Sequence, residues 1–236
     1  MKSTEVKQVL YDMGVDLCGI ASMDRFDEAP EGYHPRDVLP QCKSVVVIAK
    51  AFPAGTIHCN TTVPYTITRN MLSDMLDKLA VQFGIEMERH GVVAVPAGTI
   101  SHTFPNAKTN RFHSIVSAKH CAVAAGLGRI GRNTLVTTPE YGNMLWLSAI
   151  LTDAELEPDE LLTGDPCPDG CSLCIDNCPA GALGEPAMDQ MACYAYAFHT
   201  EEREEFKFKC YKCRTICPNC LGSKNQPAKT ENRTFN

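Results

Sequence analysis

The chain has 236 residues, with 22 Lys and Arg against 28 Asp and Glu, for a formal net charge of -6. That balance argues against a general phosphate-binding surface, since nucleic-acid domains present a basic patch; only a local basic groove would escape the argument. Its 13 cysteines sit in a chain long enough to bury a full core, which excludes the small disulfide-stapled secreted class.

Met1 to Val15 reads as an amphipathic helix with Val6, Val9, Leu10 and Met13 on one face. It lacks the uninterrupted apolar stretch of a signal peptide. The longest apolar run, Met144 to Leu151, falls well short of the ~20 residues that cross a bilayer. The expected setting is therefore cytoplasmic, reducing and anaerobic, with no membrane partner.

Val15 to Ala21, Ser44 to Ala49 and Val92 to Ala97 are short β-branched runs bounded by turn residues, and each predicts a buried strand. Between the second and third, Met71, Leu72, Met75, Leu76, Leu79, Ala80 and Phe83 recur at helical spacing. They predict a helix over Thr66 to His90 that ends at Gly91. Met71, Met75 and Met87 are expected as core fillers. Val95 to His113 is polar and long for a loop in a compact domain, which reads either as a functional loop or as a solvated excursion. As a lid it would offer His102, Lys108, Arg111 or His113 to an anionic group.

Ser114 to Ala125 predicts a further helix, closing in Gly126-Leu127-Gly128-Arg129-Ile130-Gly131-Arg132-Asn133-Thr134. Strands are expected at Leu135 to Thr138 and Leu145 to Thr152, joined as a local hairpin through Pro139 to Asn143. The class is α/β (α+β), a sheet with helices on its faces. Acidic residues after Ala154, then Gly164-Asp165-Pro166, mark a boundary. The expected organisation is a body over residues 1–157, a cysteine module over 158–221 and a polar tail over 222–236.

Nine of the 13 cysteines lie between Cys167 and Cys220. They form two runs, Cys167, Cys171, Cys174, Cys178-Pro179 and Cys210, Cys213, Cys217-Pro218, with Cys193 between them and Cys220 behind. Thiolates two or three residues apart converge on one inorganic centre, and in C-x2-C-x2-C-x3-C-P runs the fourth cysteine ligates the other cluster. The predicted ligands are therefore Cys167, Cys171, Cys174 and Cys217 for one 4Fe-4S cluster and Cys178, Cys193, Cys210 and Cys213 for a second. Nine cysteines compete for eight positions. Cys220 is taken as the spare, with Cys167 as the alternative because its C-x3-C spacing needs a wider loop through Gly170. Structural zinc is the competing chemistry for C-x2-C pairs, although zinc ribbons use isolated pairs. Cys18, Cys42, Cys59 and Cys121 are scattered, and Cys18 and Cys121 sit in apolar surroundings as small buried hydrophobes.

The stretch from Pro30-Glu31-Gly32-Tyr33-His34-Pro35-Arg36 through the Ala125 to Leu135 segment, Pro139-Glu140-Tyr141-Gly142, Leu151-Thr152-Asp153 and both cysteine runs resembles the epoxyqueuosine reductases and their shorter relatives, and more distantly the reductive dehalogenases. That resemblance implies a nitroreductase-like, corrinoid-binding body with a C-terminal bacterial-ferredoxin-like double-cluster module. It implies a corrinoid (cobalamin) reduced through the two clusters, and contact with it by Gly126, Leu127, Gly128, Arg129, Gly131, Asn133 and Tyr141. The bare residues favour a helix C-cap and tight turn feeding a strand, and the resemblance brings the cofactor reading level with it. Where that family carries an acidic proton donor, this chain has Arg111-Phe112-His113-Ser114-Ile115, so His113 is the expected catalytic substitute. The sequence also shows no counterpart of the family's helical-repeat region.

The expected function is an iron-sulfur oxidoreductase that passes low-potential electrons to a corrinoid or other cofactor in the body, acting on a small molecule or a partner's cofactor. Its electron donor would be a ferredoxin or flavodoxin, and it could be a homodimer. A non-enzymatic reactivation protein for a corrinoid or metalloenzyme is the alternative. Reduction of epoxyqueuosine in tRNA ranks lower because the acidic surface lacks a counterion-releasing face.

Overall fold

The computed structural model describes residues 1–99, 104–106, 111–184, 187–200 and 206–224. Its centre is a four-stranded sheet in the order β1 (Leu17–Ser22), β2 (Ser44–Ala51), β8 (Leu145–Thr152), β3 (Ala94–Gly98). Every pairing within it is antiparallel. The fold is thus mixed α/β.

The period of two along β2 explains why this strand is central. Val45, Val47 and Ala49 enter one apolar cluster while Val46 and Ile48 enter the other, so both faces are covered. One face is packed by α1 (Ser3–Asp12), through Val6 and Leu10, and by α3 (Val63–Arg89). The opposite face is packed by α4 (Ala118–Ala124), through Cys121 and Ala122. The chain also forms α2 (Pro35–Val38) ahead of β2 and, between β3 and α4, β4 (Phe104–Asn106) with its antiparallel partner β5 (Arg111–His113).

Three expectations need correction. The side of α3 that meets the sheet is Leu72, Leu76, Ala80, Phe83 and Met87, a spacing of four, four, three and four. Met71 and Met75 fall one residue off that stripe and are 50% and 41% exposed, so only Met87 fills core. The helix expected from Ser114 begins four residues later, because the Ser117 side chain accepts the His120 backbone N–H and caps it. The hairpin expected between residues 135 and 152 does not form. β7 (Val136–Thr137) pairs instead with β6 (Arg129–Ile130), while β8 pairs with β2 and β3 and only the Thr138–Gly142 bridge lies between. With Ala149, Ile150 and Leu151 fully buried, β8 gains more from the middle of the sheet than from a two-stranded ribbon.

The C-terminal part consists of short pieces: α5 (Leu173–Asp176), α6 (Gln190–Ala197), the β9 (Phe198–Thr200) and β10 (Phe206–Phe208) pair, and α7 (Lys212–Thr215). It is fastened to the body by an apolar cluster in which Phe52, Tyr65, Leu72 and Met144 meet Phe208 and Cys220. Tyr65 stacks on Tyr211 with centroids 4.1 Å apart, and Thr66 Oγ1 accepts the Phe208 backbone N–H at 3.1 Å. Burying rings of this kind is worth about 1.5–3 kcal/mol each. Asp159, just past the expected boundary at residue 157, is bound to the body: its backbone N–H donates to Ile20 O, and its side chain accepts from Ile20 N and pairs with Lys7. His102 and Lys108 of the expected lid, and the tail beyond Lys224, lie outside the described residues.

Candidate metal centre

The cysteine turns are built by local hydrogen bonding. Cys171 N–H donates to Pro168 O at 3.0 Å and Cys167 N–H to Asp165 Oδ1 at 2.8 Å, which closes the wide C-x3-C loop; Gly170 takes φ +68° within it. α5 then presents Cys174, and Cys217 arrives from beyond α7. These four thiols, with Asn133, Pro168, Leu173 and Pro218, line one cavity. It is the quartet that the ferredoxin-type crossing predicts.

Electrostatics links the same sulfurs. Burial pushes the Cys174 thiol up, and neighbouring Cys167 and Cys217 push it further. Cys217 is likewise raised by burial, then by Cys167 and Cys171, against hydrogen bonds from Asn219 and the Asn143 side chain. The second quartet is coupled internally. Burial raises Cys193, with Cys178 and Cys210 adding to it. Cys213 is pushed up to about 11 by burial, opposed by Arg214 and reinforced by Cys193, Cys210 and Cys178. Raised thiols such as Cys174, Cys217, Cys193 and Cys213 would be relieved by a cationic core that takes the place of their protons.

All 13 cysteines are free thiols. Among the described residues no three His, Cys, Asp or Glu side chains are arranged to hold a single metal ion. The quartets are therefore not linked as disulfides. Backbone donors already point at sulfur: Arg132 N–H at Cys167 Sγ and Ala182 N–H at Cys178 Sγ, both at 3.3 Å. Such bonds are among the groups that set cluster potentials. Cys220 lies instead in the apolar cluster with Phe52, Met144 and Phe208, where burial pushes its thiol up to about 11 against the Arg214 charge.

The glycine-rich turn is where body and cysteines meet. A Cβ on Gly131 would lie 3.3 Å from Cys167 Sγ. Asn133, 4% exposed, donates from Nδ2 to Cys213 O at 3.2 Å while its Oδ1 accepts Leu135 N–H at 3.0 Å. It thus lines the first quartet's cavity and braces a ligand of the second. Arg132, exposed, reaches Cys171 O through Nη1. At the other glycines protein backbone stands where a Cβ would be. Gly126 has φ +70°, and a Cβ there would lie 2.1 Å from Glu160 O; at Gly128 it would lie 2.5 Å from Thr137 O. The space these glycines leave is filled by the chain's own backbone. Leu127 is buried in the core, Arg129 donates to Leu162 O, and Tyr141 is half-buried beside the core.

His113, half-buried on β5, packs edge-on to Tyr33 with centroids 4.3 Å apart, and its Nδ1 is buried without a hydrogen-bond partner among the described residues. The neighbouring Phe112 N–H donates to Gln190 Oε1 at 2.8 Å, tying this strand to α6, the helix that carries Cys193. Sequence reasoning missed Lys119, Asn143 and Arg214. Lys119 Nζ donates to Thr134 O at 2.8 Å; burial lowers its pKa and the Cys213 sulfur pulls it back. Asn143 Nδ2 donates to Arg214 O. Lys119 and Asn143 meet the cysteines only through tertiary contact, and Arg214, next to Cys213 in the chain, gave no sign that the fold would bury it.

No family model matches the chain. The epoxyqueuosine reductase of Bacillus subtilis is 26% identical over 91% of this chain and 62% of its own length. That of Staphylococcus aureus is 26% identical over 94% of this chain and 64% of its length. The chain thus spans about three fifths of these curated relatives. Among solved structures, an epoxyqueuosine reductase with an epoxyqueuosine-modified tRNA-Tyr stem loop superposes with a TM-score of 0.63 at 22% identity, covering 92% of this chain and 64% of that one. A catabolic reductive dehalogenase gives 0.65 at 18% identity over 93% of this chain and 32% of its own. Over most of its length the chain is therefore similar in sequence to the epoxyqueuosine reductases, and it shares its fold with them and with reductive dehalogenases.

Proposed function

We propose that the chain is an iron-sulfur oxidoreductase whose two cysteine quartets hold two 4Fe-4S clusters and deliver low-potential electrons to an acceptor at the body. The observation that carries this is the gathering of Cys167, Cys171, Cys174 and Cys217 around one cavity while Cys178, Cys193, Cys210 and Cys213 couple to one another. When bound, such clusters supply one-electron transfer. The chain's own residues hold the sulfurs apart, point backbone N–H groups at two of them and shield Cys174 and Cys213 from water. The enzymatic reading is favoured over a bare reactivation protein because the curated relatives are reductases.

The acceptor is a corrinoid or another cofactor, or the substrate itself. A corrinoid is suggested by solved neighbours among the reductive dehalogenases, one of which is described with a B12-dependent mechanism. Gly126 and Gly128 give it no cradle, so no step is assigned to it at that turn. His113, with its free Nδ1, is the candidate proton donor. An external ferredoxin or flavodoxin would supply the electrons. A tRNA substrate is the second reading, favoured by the stem loop held in one neighbour and opposed by the net charge of -6.

Anaerobic purification followed by iron and sulfide analysis tests the proposal, with Cys193→Ser expected to lose about half the iron and Cys220→Ser to keep all of it. A chain that takes up zinc or no metal would overturn it. Added cobalamin should shift its corrin bands if the body binds it, and a gel shift with tRNA separates the two substrate readings.

A further inference from the structure

Arg214 is the one charged side chain that is buried among the described residues, at 4% exposure. Its Nη1 has no hydrogen-bond partner and no carboxylate pairs with it among those residues; the guanidinium lies 5.2 Å from the Phe52 ring centroid. A buried cation without a countercharge is strongly destabilising. Arg214 directly follows Cys213 in the chain, and its charge is felt by the Cys213 and Cys220 thiols. Lys119, half-buried on α4, approaches Cys213 from the body and is held by Thr134 O.

We infer that Arg214, assisted by Lys119, is the fixed countercharge of the centre held by Cys178, Cys193, Cys210 and Cys213, and that it makes this centre the more easily reduced of the two. This rests on the cluster reading proposed above. Each reduction adds one electron from a one-electron carrier, which is itself oxidised by one electron; no proton or bond change is needed. The centre gains one negative charge, and a nearby fixed cation favours that form, the more so in surroundings of low dielectric. Hydrogen bonds reach sulfur in both quartets, one backbone N–H at 3.3 Å in each, with Asn219 and Asn143 adding theirs to Cys217 of the first. Charge does distinguish them: the cation beside the first quartet, Arg132, is exposed and reaches a backbone oxygen, where water screens it. Electrons entering at the first quartet would therefore settle on the second.

The test is a redox titration of the full chain with both centres loaded, followed by electron paramagnetic resonance. The more positive of two one-electron steps should be the one altered in Cys193→Ser. In Arg214→Gln it should move negative, with the reduced-to-oxidised ratio at the original midpoint falling about tenfold, which is 59 mV for one electron. Arg214→Lys should restore most of that shift. Lys119→Gln should move the same step in the same direction by less. Assignment of the more positive step to the first quartet overturns the inference. So does an unmoved second step in Arg214→Gln and Lys119→Gln. Should Arg214→Gln fail to load its second centre, Lys119→Gln decides alone, and a wild-type chain without iron or sulfide sinks the cluster reading itself.

Discussion

Gly142→Ala is the sharpest probe of whether the body fixes the cysteine loops. Gly142 sits at φ +58°, and a Cβ there would lie 2.4 Å from Cys220 O and 2.5 Å from Asn219 O. Both are backbone atoms that cannot swing aside, and the adjacent Asn143 N–H donates to the same two oxygens at 3.2 Å. Gly91→Ala supplies the control, because Gly91 also has a positive φ, +73°, yet a Cβ there meets nothing within 4 Å. The left-handed conformation alone costs about 1–2 kcal/mol, and the forced overlap adds about 1–3 kcal/mol. For a chain of this size each kcal/mol lowers the melting temperature by roughly 3 °C, so Gly142→Ala should melt roughly 3–9 °C below Gly91→Ala. The loop from Cys217 to Cys220 is the part that must retreat, taking Cys217 out of the first quartet. Iron content should then fall by about half in Gly142→Ala and stay whole in Gly91→Ala. Equal melting temperatures with full iron in both would refute the idea that this contact positions Cys217.

Other outcomes follow from the same geometry. Asn133→Leu removes the partner of Cys213 O and of Leu135 N–H, which should lower stability by about 1–3 kcal/mol and reduce iron retention; thermal melting and metal analysis measure both. Cys121, 2% exposed, has its thiol pushed up to about 12 by burial, then by the neighbouring Cys42, from an ordinary 9.0. A raised folded-state value means stability that is complete below pH 9 and lost as the pH climbs toward 12. Wild type should lose roughly 1.4 kcal/mol per pH unit more than Cys121→Ala in that window, a difference read from urea unfolding of both at pH 8 and pH 10. Of the four scattered cysteines Cys59 alone is not buried, so alkylation of the native chain should mark Cys59 and spare Cys18, Cys42 and Cys121, as peptide mapping would report.

The elements that were legible are those whose side chains obey one short-range rule. Ser44 to Ala49 reads as a strand because every residue is small or β-branched, and it is buried on both faces. Cys167, Cys171, Cys174 and Cys217 line one cavity, and spacings of two and three residues leave a chain few ways to gather thiols. The failures share a cause as well. Met71 and Met75 have the right chemistry for core, but a long helix offers only one stripe to a sheet, and a single residue of phase turns them outward. β7 and β8 are close enough in sequence for a hairpin, yet their partners were chosen by the apolar area that the sheet centre buries. Lys119 and Arg214 were invisible for a third reason: a cation is read as a solvated surface group until the fold removes its water.

The glycine-rich turn carries the argument furthest, since its sequence admitted both a cofactor cradle and a tight turn, and the structure assigns the closeness to protein. Gly126 admits the backbone at Glu160, Gly128 that at Thr137, and Gly131 the sulfur of Cys167. Arg132 and Asn133 then spend their hydrogen bonds on Cys167, Cys171 and Cys213. From the other side Asn143 holds the backbone of Arg214, Asn219 and Cys220. A body that grips one cysteine run at each of these places does more than bind an acceptor: it sets where the sulfurs stand and which charges they face. Substitutions in residues 126–143 should therefore be felt first as changes in iron content and reduction potential, ahead of any effect on what the body binds.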